Sequence, residues 1–309
     1  MRRSAFAIIA LLNATALLAA SLHTASAAPV QPAGKGTPAA AAPATASPKQ
    51  PTAVLDTLSR YRRVTSVAFT DSANSQVSGS VTCPSGTNVI SGGAIISSTS
   101  VAENLNSSIP TSDGRSWEVW VNNTSAVDGS FVVYAVCLKG VVNYSVVQGG
   151  AVIDPPNLNE STQPVVTCPR GTAVLGGGGY TTSSSNQTIL AGSTPGSTGR
   201  RWYAAFNNRS QSTTDDSAYA VCGKRPAGYV VIQGSGADVA PGTQGSASAS
   251  CPAGKVVLGG GGSPVVFRDG LIDLNSTAAV SSTTWEIWFN NLYSSTISIM
   301  SAATCATIG

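Results

Sequence analysis

The chain has 309 residues, of which 42% are apolar and 10% charged, and carries a formal net charge of +3 at pH 7. From Val64 onward 10 basic side chains stand against 13 acidic ones, so this part lacks the cationic footprint with which a nucleic-acid binder neutralises phosphates. The single histidine is His23, which leaves the rest of the chain without an imidazole and excludes Ser-His-Asp and Cys-His catalysis and nearly every zinc arrangement there.

The N-terminus has the form of a secretory signal. Arg2 and Arg3 make a short basic region, Ala5 to Leu22 is mostly apolar, and Ala25-Ser26-Ala27 offers small residues for cleavage, so residues 1–27 are expected to be removed on export. Residues 28–61 are rich in Ala, Pro, Thr and Lys with few large apolar side chains. Such a segment cannot bury enough surface to offset chain entropy and is expected to be a disordered spacer. No cysteine follows the cleavage site closely, and the C-terminus has no apolar stretch. The expectation is a released, extracellular protein with no membrane span after signal removal.

Three copies of one unit follow, at 62–140, 141–226 and 227–309. Cys83 and Cys137, Cys168 and Cys222, and Cys251 and Cys305 are each 54 apart, and Trp117, Trp202 and Trp285 each stand 34 after the first cysteine. Asn122-Asn123, Asn207-Asn208 and Asn290-Asn291 keep the same register, each pair starting 39 after the first cysteine. Such fidelity is the mark of a repeated folding unit. Six cysteines in an exported chain point to disulfides. Either each repeat closes on itself or each is linked to the next, and the constant spacing favours the first, worth roughly 3–4 kcal/mol per loop on chain-entropy grounds. No two cysteines are close enough for a CxxC metal pair.

Each repeat opens with a β-rich run, Val64 to Phe69, Tyr144 to Gln148 and Tyr229 to Gln233, followed by polar loops expected over Asp71 to Ser78, Asp154 to Thr162 and Asp238 to Ser246. A Cys-Pro-x-Gly turn leads through an apolar pair into a glycine run: Gly92-Gly93, Gly176 to Gly179 and Gly259 to Gly262. A phosphate cradle needs its glycines between a strand and a helix, and no helical period follows these. A bulge or a close approach of two backbones is the expected role.

The tryptophan strand comes next. Successive side chains alternate faces, so Trp117, Val119 and Val121, with Trp202, Ala204 and Phe206 and with Trp285, Ile287 and Phe289, form an apolar core face. The opposite face carries Glu118, Trp120 and Asn122, then Tyr203, Ala205 and Asn207, then Glu286, Trp288 and Asn290. The Asn-Asn pair is expected to end the strand in a turn, after which a closing strand runs to the second cysteine. Nowhere is there an amphipathic helix. Short strands with Ser/Thr/Gly/Asn-rich turns describe an all-β chain: three tandem, homologous disulfide-stapled β-sandwich-like repeats or, alternatively, a pseudo-three-fold β-prism-like assembly.

The pattern Cys-Pro-x-Gly, Gly-Gly, Trp-x4-Asn-Asn and Val-Tyr-Ala-Val-Cys, complete in repeat 1 (Cys83 to Cys137) and altered in repeat 3 at Ser301 to Cys305, resembles a tandem module of uncharacterised exported actinobacterial proteins. That resemblance implies an independently folding unit and carries no activity. The three cysteine-glycine repeats are more loosely similar to the β-prism of egg vitelline-membrane proteins.

With imidazole gone and thiols paired, carboxylates remain. A glycosidase needs two carboxyls about 5–10 Å apart across a sugar, but Glu118, Asp113 and Asp128 show no pairing that recurs in the other repeats, so no enzyme, metal or cofactor is expected. The leading expectation is a secreted, non-enzymatic binding protein for carbohydrate or a cell-envelope surface, using Trp120 with Glu118 and Asn122 and Trp288 with Glu286 and Asn290 to stack on sugar rings and bind their hydroxyls. The alternatives are a protein-directed module such as a protease inhibitor, presenting Ser107 to Arg115 or Ser193 to Arg201 as a loop, and a purely structural surface protein.

Overall fold

β-Branched residues alternating with small polar ones, punctuated by turns, give twenty strands among the described residues of a computed structural model. It describes residues 59–156, 161–267 and 270–308; the expected signal segment and nearly all of the expected spacer lie outside them. Repeat 1 supplies β1 (Ser59–Thr65), β2 (Phe69–Asp71), β3 (Ser75–Thr82), β4 (Asn88–Ile96), β5 (Glu103–Pro110), β6 (Ser116–Asn123) and β7 (Gly129–Lys139). Repeat 2 supplies β8 (Ser145–Gln148), β9 (Val152–Asp154), β10 (Val165–Thr167), β11 (Thr172–Thr181), β12 (Thr188–Pro195), β13 (Arg201–Asn208) and β14 (Thr214–Lys224). Repeat 3 supplies β15 (Val230–Val239), β16 (Gln244–Ser250), β17 (Val256–Pro264), β18 (Ile272–Ala279), β19 (Thr284–Asn291) and β20 (Ile297–Ala306).

Several boundaries differ from expectation; the polar loop expected over Asp238 to Ser246 shrinks to 240–243, because β15 runs to Val239 and β16 opens at Gln244. β1 begins at Ser59, inside the expected spacer, because its backbone pairs with β7 from Ser59 opposite Lys139 onward. The polar loop expected over Asp71 to Ser78 shrinks to a short turn, since Asp71 closes β2 and Ser75 opens β3. The altered end of repeat 3 is nevertheless strand: β20 runs through Cys305.

Every sheet is shared between two repeats. One orders β1-β7-β4 of repeat 1 against β18-β19-β16 of repeat 3, the second orders β3-β6-β5 of repeat 1 against β11-β14-β8 of repeat 2, and the third orders β10-β13-β12 of repeat 2 against β17-β20-β15 of repeat 3. Each repeat is therefore a sandwich-like pair of half-sheets, and each half continues into a neighbour around a pseudo-three-fold axis. Within a repeat the disulfide joins the two half-sheets, Cys83 to Cys137, Cys168 to Cys222 and Cys251 to Cys305, each with a Cα–Cα distance of 5.7 Å. This is the within-repeat pairing that the 54-residue spacing favours.

The glycine runs make this closure possible. Both expected roles occur. The ladders shift register at Val89/Ser91, Val174/Gly176 and Val257/Gly259, and the glycines lie where backbones and rings press together. A Cβ on Gly92, Gly177 or Gly260 would strike the indole of Trp117, Trp202 or Trp285, and one on Gly93, Gly178 or Gly261 would overlap the carbonyl oxygen of Thr277, Ser108 or Ser193 in the neighbouring repeat. Those carbonyls belong to the seams, where the ladders carry a single registered pair each: Thr277 with Ala94, Ser108 with Gly179 and Ser193 with Gly262. The three tryptophans are fully buried. Their indole N–H groups donate to Ser108 Oγ (2.9 Å), Ser193 Oγ (2.9 Å) and Thr277 Oγ1 (2.7 Å), so the core face predicted from alternation anchors each seam residue within its own repeat.

Candidate functional site

The outward faces of β6 and β19 carry the aromatic residues singled out from sequence. Trp120 and Glu118 are half-buried between Ser78 and Ser80 of β3 and Ser107 and Ile109 of β5. Phe69, Ser78, Gly79, Ser80, Glu118 and Trp120 line a groove of about 190 Å³. The Trp120 ring meets Tyr180 of repeat 2 edge-on, with centroids 5.8 Å apart and planes at 71°, an arrangement that the ring quadrupoles favour. Tyr219 on β14 continues the row: burial and the neighbouring Tyr180 phenol raise its pKa. Glu286 and Trp288 on β19 are half-buried in the same way, between Ser246 and Ser248 of β16 and Ser276 and Ala278 of β18. There the row continues through Ile95 on β4 and Tyr134 on β7, the counterparts of Tyr180 and Tyr219. At the corresponding positions the third sheet has Ala205, Ser263 and Ala302. Tyr180 and Tyr219 were not foreseen as part of any site. They lie in another repeat, and only the shared sheet brings them beside Trp120.

Asn122 and Asn290 do not belong to this face, contrary to the sequence-based expectation. Both are fully buried, because the neighbouring repeat closes over the end of the strand. Asn122 Nδ2 donates to Asn104 Oδ1 (3.0 Å) and to the Thr188 carbonyl (2.9 Å) of repeat 2, and its Oδ1 accepts from Gln76 Nε2 (3.0 Å). Asn290 Nδ2 donates to the Glu103 carbonyl of repeat 1 (2.7 Å) and its Oδ1 accepts from Gln244 Nε2 (3.1 Å). Asn207 repeats the clasp onto the Ile272 carbonyl (2.9 Å) of repeat 3. The second asparagine of each pair holds its own repeat: Asn123, Asn208 and Asn291 donate to the carbonyls of Asp71, Asp154 and Val239 at 3.0, 2.9 and 2.9 Å. The Asn-Asn pair is thus a clasp between and within repeats in addition to the end of a strand.

The arginine loops are also different from expectation. Ser107 to Pro110 and Ser193 to Pro195 lie in β5 and β12. Arg115 is drawn back onto the Cys-Pro-x-Gly turn, where its guanidinium donates to the carbonyls of Thr87 and Cys83, and Arg200 donates to the Cys168 carbonyl at 3.0 Å. Arg201 opens β13 with an exposed side chain. Asp113 and Asp128, the acids flanking Glu118, do not come together. Asp113 sits in the turn before β6, where Thr111 Oγ1 and the Arg115 N–H donate to its Oδ1 (2.6 and 2.9 Å) and lower its pKa. Asp128 lies beyond the other end of β6, where it accepts from the Ala73 N–H at 2.9 Å. An eight-residue strand at about 3.3 Å per residue separates the two turns by roughly 25 Å, far beyond a glycosidase pair.

Among the described residues no group of three His, Cys, Asp or Glu side chains comes together to hold a metal ion, and no helix is long and apolar enough to cross a membrane. Three closed disulfides fit an oxidising, extracellular setting. Comparison of the chain with known protein families and with curated proteins finds no match.

Proposed function

We propose that the protein is a secreted, non-enzymatic binding protein that takes carbohydrate or another polymer of the cell envelope on two of its three sheet faces. The observation that carries this reading is the half-buried Trp120 ring, edge-on to Tyr180 and beside Glu118 in a groove with serine hydroxyls at its rim. A half-buried indole lining a groove offers a sugar ring an apolar surface, while Glu118, Ser78 and Ser80 accept and donate to its hydroxyls. Trp288, Glu286, Ser246 and Ser248 repeat the chemistry on a second face, and two weak sites on one rigid body gain by multivalency on a polymer. The third face, with Ala205 at the tryptophan position, offers no such platform. Arg115 and Arg200 are engaged by backbone carbonyls, which disfavours their presentation to a protease, whereas Arg201 is exposed but stands at the start of β13 rather than on a projecting loop.

The test is co-sedimentation of the oxidised protein with insoluble polysaccharides and whole cell walls, beside Trp120→Ala, Trp288→Ala and the double variant. Losing one stacking contact, worth about 0.5–1.5 kcal/mol, weakens each site roughly 2- to 12-fold, so the single changes reduce binding and the double change abolishes it. Binding that ignores both tryptophans, with near-UV circular dichroism unchanged, sinks the proposal.

A further inference from the structure

Repeats 1 and 2 bury carboxyl groups at a position where repeat 3 is apolar. Asp71, Asp154 and Val239 are equivalent, since each offers its carbonyl to the second asparagine of its repeat. Glu103, Thr188 and Ile272 are equivalent through their pairing with Asn123, Asn208 and Asn291. Phe131, Asp216 and Ile299 are equivalent through Ile96, Thr181 and Pro264. Repeat 1 thus brings Asp71 to Glu103, repeat 2 brings Asp154 to Asp216, and repeat 3 has Val239, Ile272 and Ile299. All four acids are at most 2% exposed.

Neither oxygen of Asp71 or Asp154 has a hydrogen-bonding donor among the described residues, and Glu103 Oε2 also lacks one. Glu103 lies over Gly129, the residue paired with Asp71, closely enough that a Cβ there would strike its carboxyl. The charged groups acting on Asp71 are both acidic, Glu103 from β5 and Asp128 from the turn before β7. Asp154 faces Asp216 from β14, with Thr162 beside them donating to Asp216 Oδ2 at 2.6 Å; Thr181 and Thr214 complete the surroundings of Asp216. Two carboxylates cannot share such a place when both are charged. They can when one proton lies between them.

We propose that each of these pairs holds one shared proton, forming two acid-dependent latches that keep repeats 1 and 2 closed and loosen as the proton is lost. The first latch bears directly on the contact between repeats, because the Glu103 carbonyl accepts from Asn275 (2.8 Å) and Asn290 (2.7 Å) of repeat 3. Burial and the neighbouring acid push Asp71 up to about 7 and Asp154 up to about 8. In the unfolded chain the same carboxyls ionise near 4. The folded state therefore binds the extra protons between these limits, and stability is greatest in acid and falls as pH rises toward 7–8.

The experiment is urea unfolding of the full oxidised chain, followed by tryptophan fluorescence at pH 5, 6 and 7 in EDTA. Each shared proton makes the unfolding constant rise about tenfold per pH unit, so two pairs contribute about a hundredfold. Asp71→Val with Glu103→Ile, which copies repeat 3, removes one factor of about ten per pH unit from the dependence of the parent. Asp154→Val with Asp216→Ile removes the other. Asp71→Asn, which keeps the shape and supplies a donor to Glu103, lowers the dependence as the first double change does. If the double variants fail to fold, carbon-detected NMR of the parent carboxyls decides, with Asp71 titrating near neutrality if the proposal holds and near 4 if it does not. Variants as pH-dependent as the parent overturn the proposal. So does a parent whose pH dependence calcium abolishes, since a cation would then sit between the carboxyls in place of the shared proton.

Discussion

Replacing Gly178 by alanine tests the idea that the seams between repeats exist because glycine lets two backbones touch. A Cβ there would lie 2.9 Å from the Ser108 carbonyl carbon and 3.4 Å from Trp117 Cζ2, with the Ser108 oxygen nearer still. The obstacle is backbone on one side and a buried ring on the other, so no flexible side chain can turn away. Normal carbon–oxygen contact requires the two strands to part by more than about 1 Å, and close packing leaves no room for that without loss elsewhere. The seam has one registered pair, Ser108 with Gly179, reinforced by the Thr181 N–H donating to Ser107 Oγ at 3.1 Å. Parting the strands weakens those bonds, at about 1 kcal/mol each, and disturbs the Trp117–Ser108 bond. With an overpacking cost of about 1–3 kcal/mol, the expected loss is roughly 3–5 kcal/mol. In a domain of this size it lowers Tm by about 6–20 °C. The control is Gly150→Ala, where a Cβ meets nothing within 4 Å and the change is neutral or slightly stabilising. Differential scanning calorimetry of both variants is decisive: a Gly178→Ala protein melting within about 1 °C of the parent would refute the close-approach reasoning.

Asn207→Ala removes the donor to the Ile272 carbonyl and the acceptor of Ser161 Oγ. Leaving buried partners unsatisfied costs about 2–4 kcal/mol, read as a lower urea midpoint, whereas Asn186→Ala in the half-buried turn before β12 should change it little. Arg209→Ala strips the fully buried Asp273 of its ion-pair partner. Burial already raises the Asp273 pKa against the lowering effect of Arg209, so the variant raises it further. Its deficit relative to the parent is therefore smallest in acid, where the folded carboxyl takes up a proton with or without Arg209, and grows as pH rises, to about 3–5 kcal/mol. A deficit independent of pH would refute that account. Converting Cys168 and Cys222 together to alanine opens a 54-residue span and lowers stability by about 4 kcal/mol, measurable by calorimetry.

Much was legible in the sequence because it is local to one repeat. Constant cysteine spacing favoured the pairing within each repeat, alternation around Trp117, Trp202 and Trp285 marked the core face, and glycine runs without a following helix pointed to a bulge or a close backbone approach. By the same alternation Trp120 and Trp288 stand opposite the core face, half-buried. What the tertiary structure decided is everything that depends on which repeat lies beside which. A strand pattern is the same whether its edge pairs within its own repeat or with a neighbour, so the sharing of sheets, the Tyr180 beside Trp120 and the burial of Asn122 and Asn290 leave no periodic trace. Asp71 and Asp154 show the limit most clearly. Each sits in a polar stretch that reads as solvated loop, yet each is fully buried, because the closed end of its repeat folds over it and only the packed half-sheets determine what lies inside.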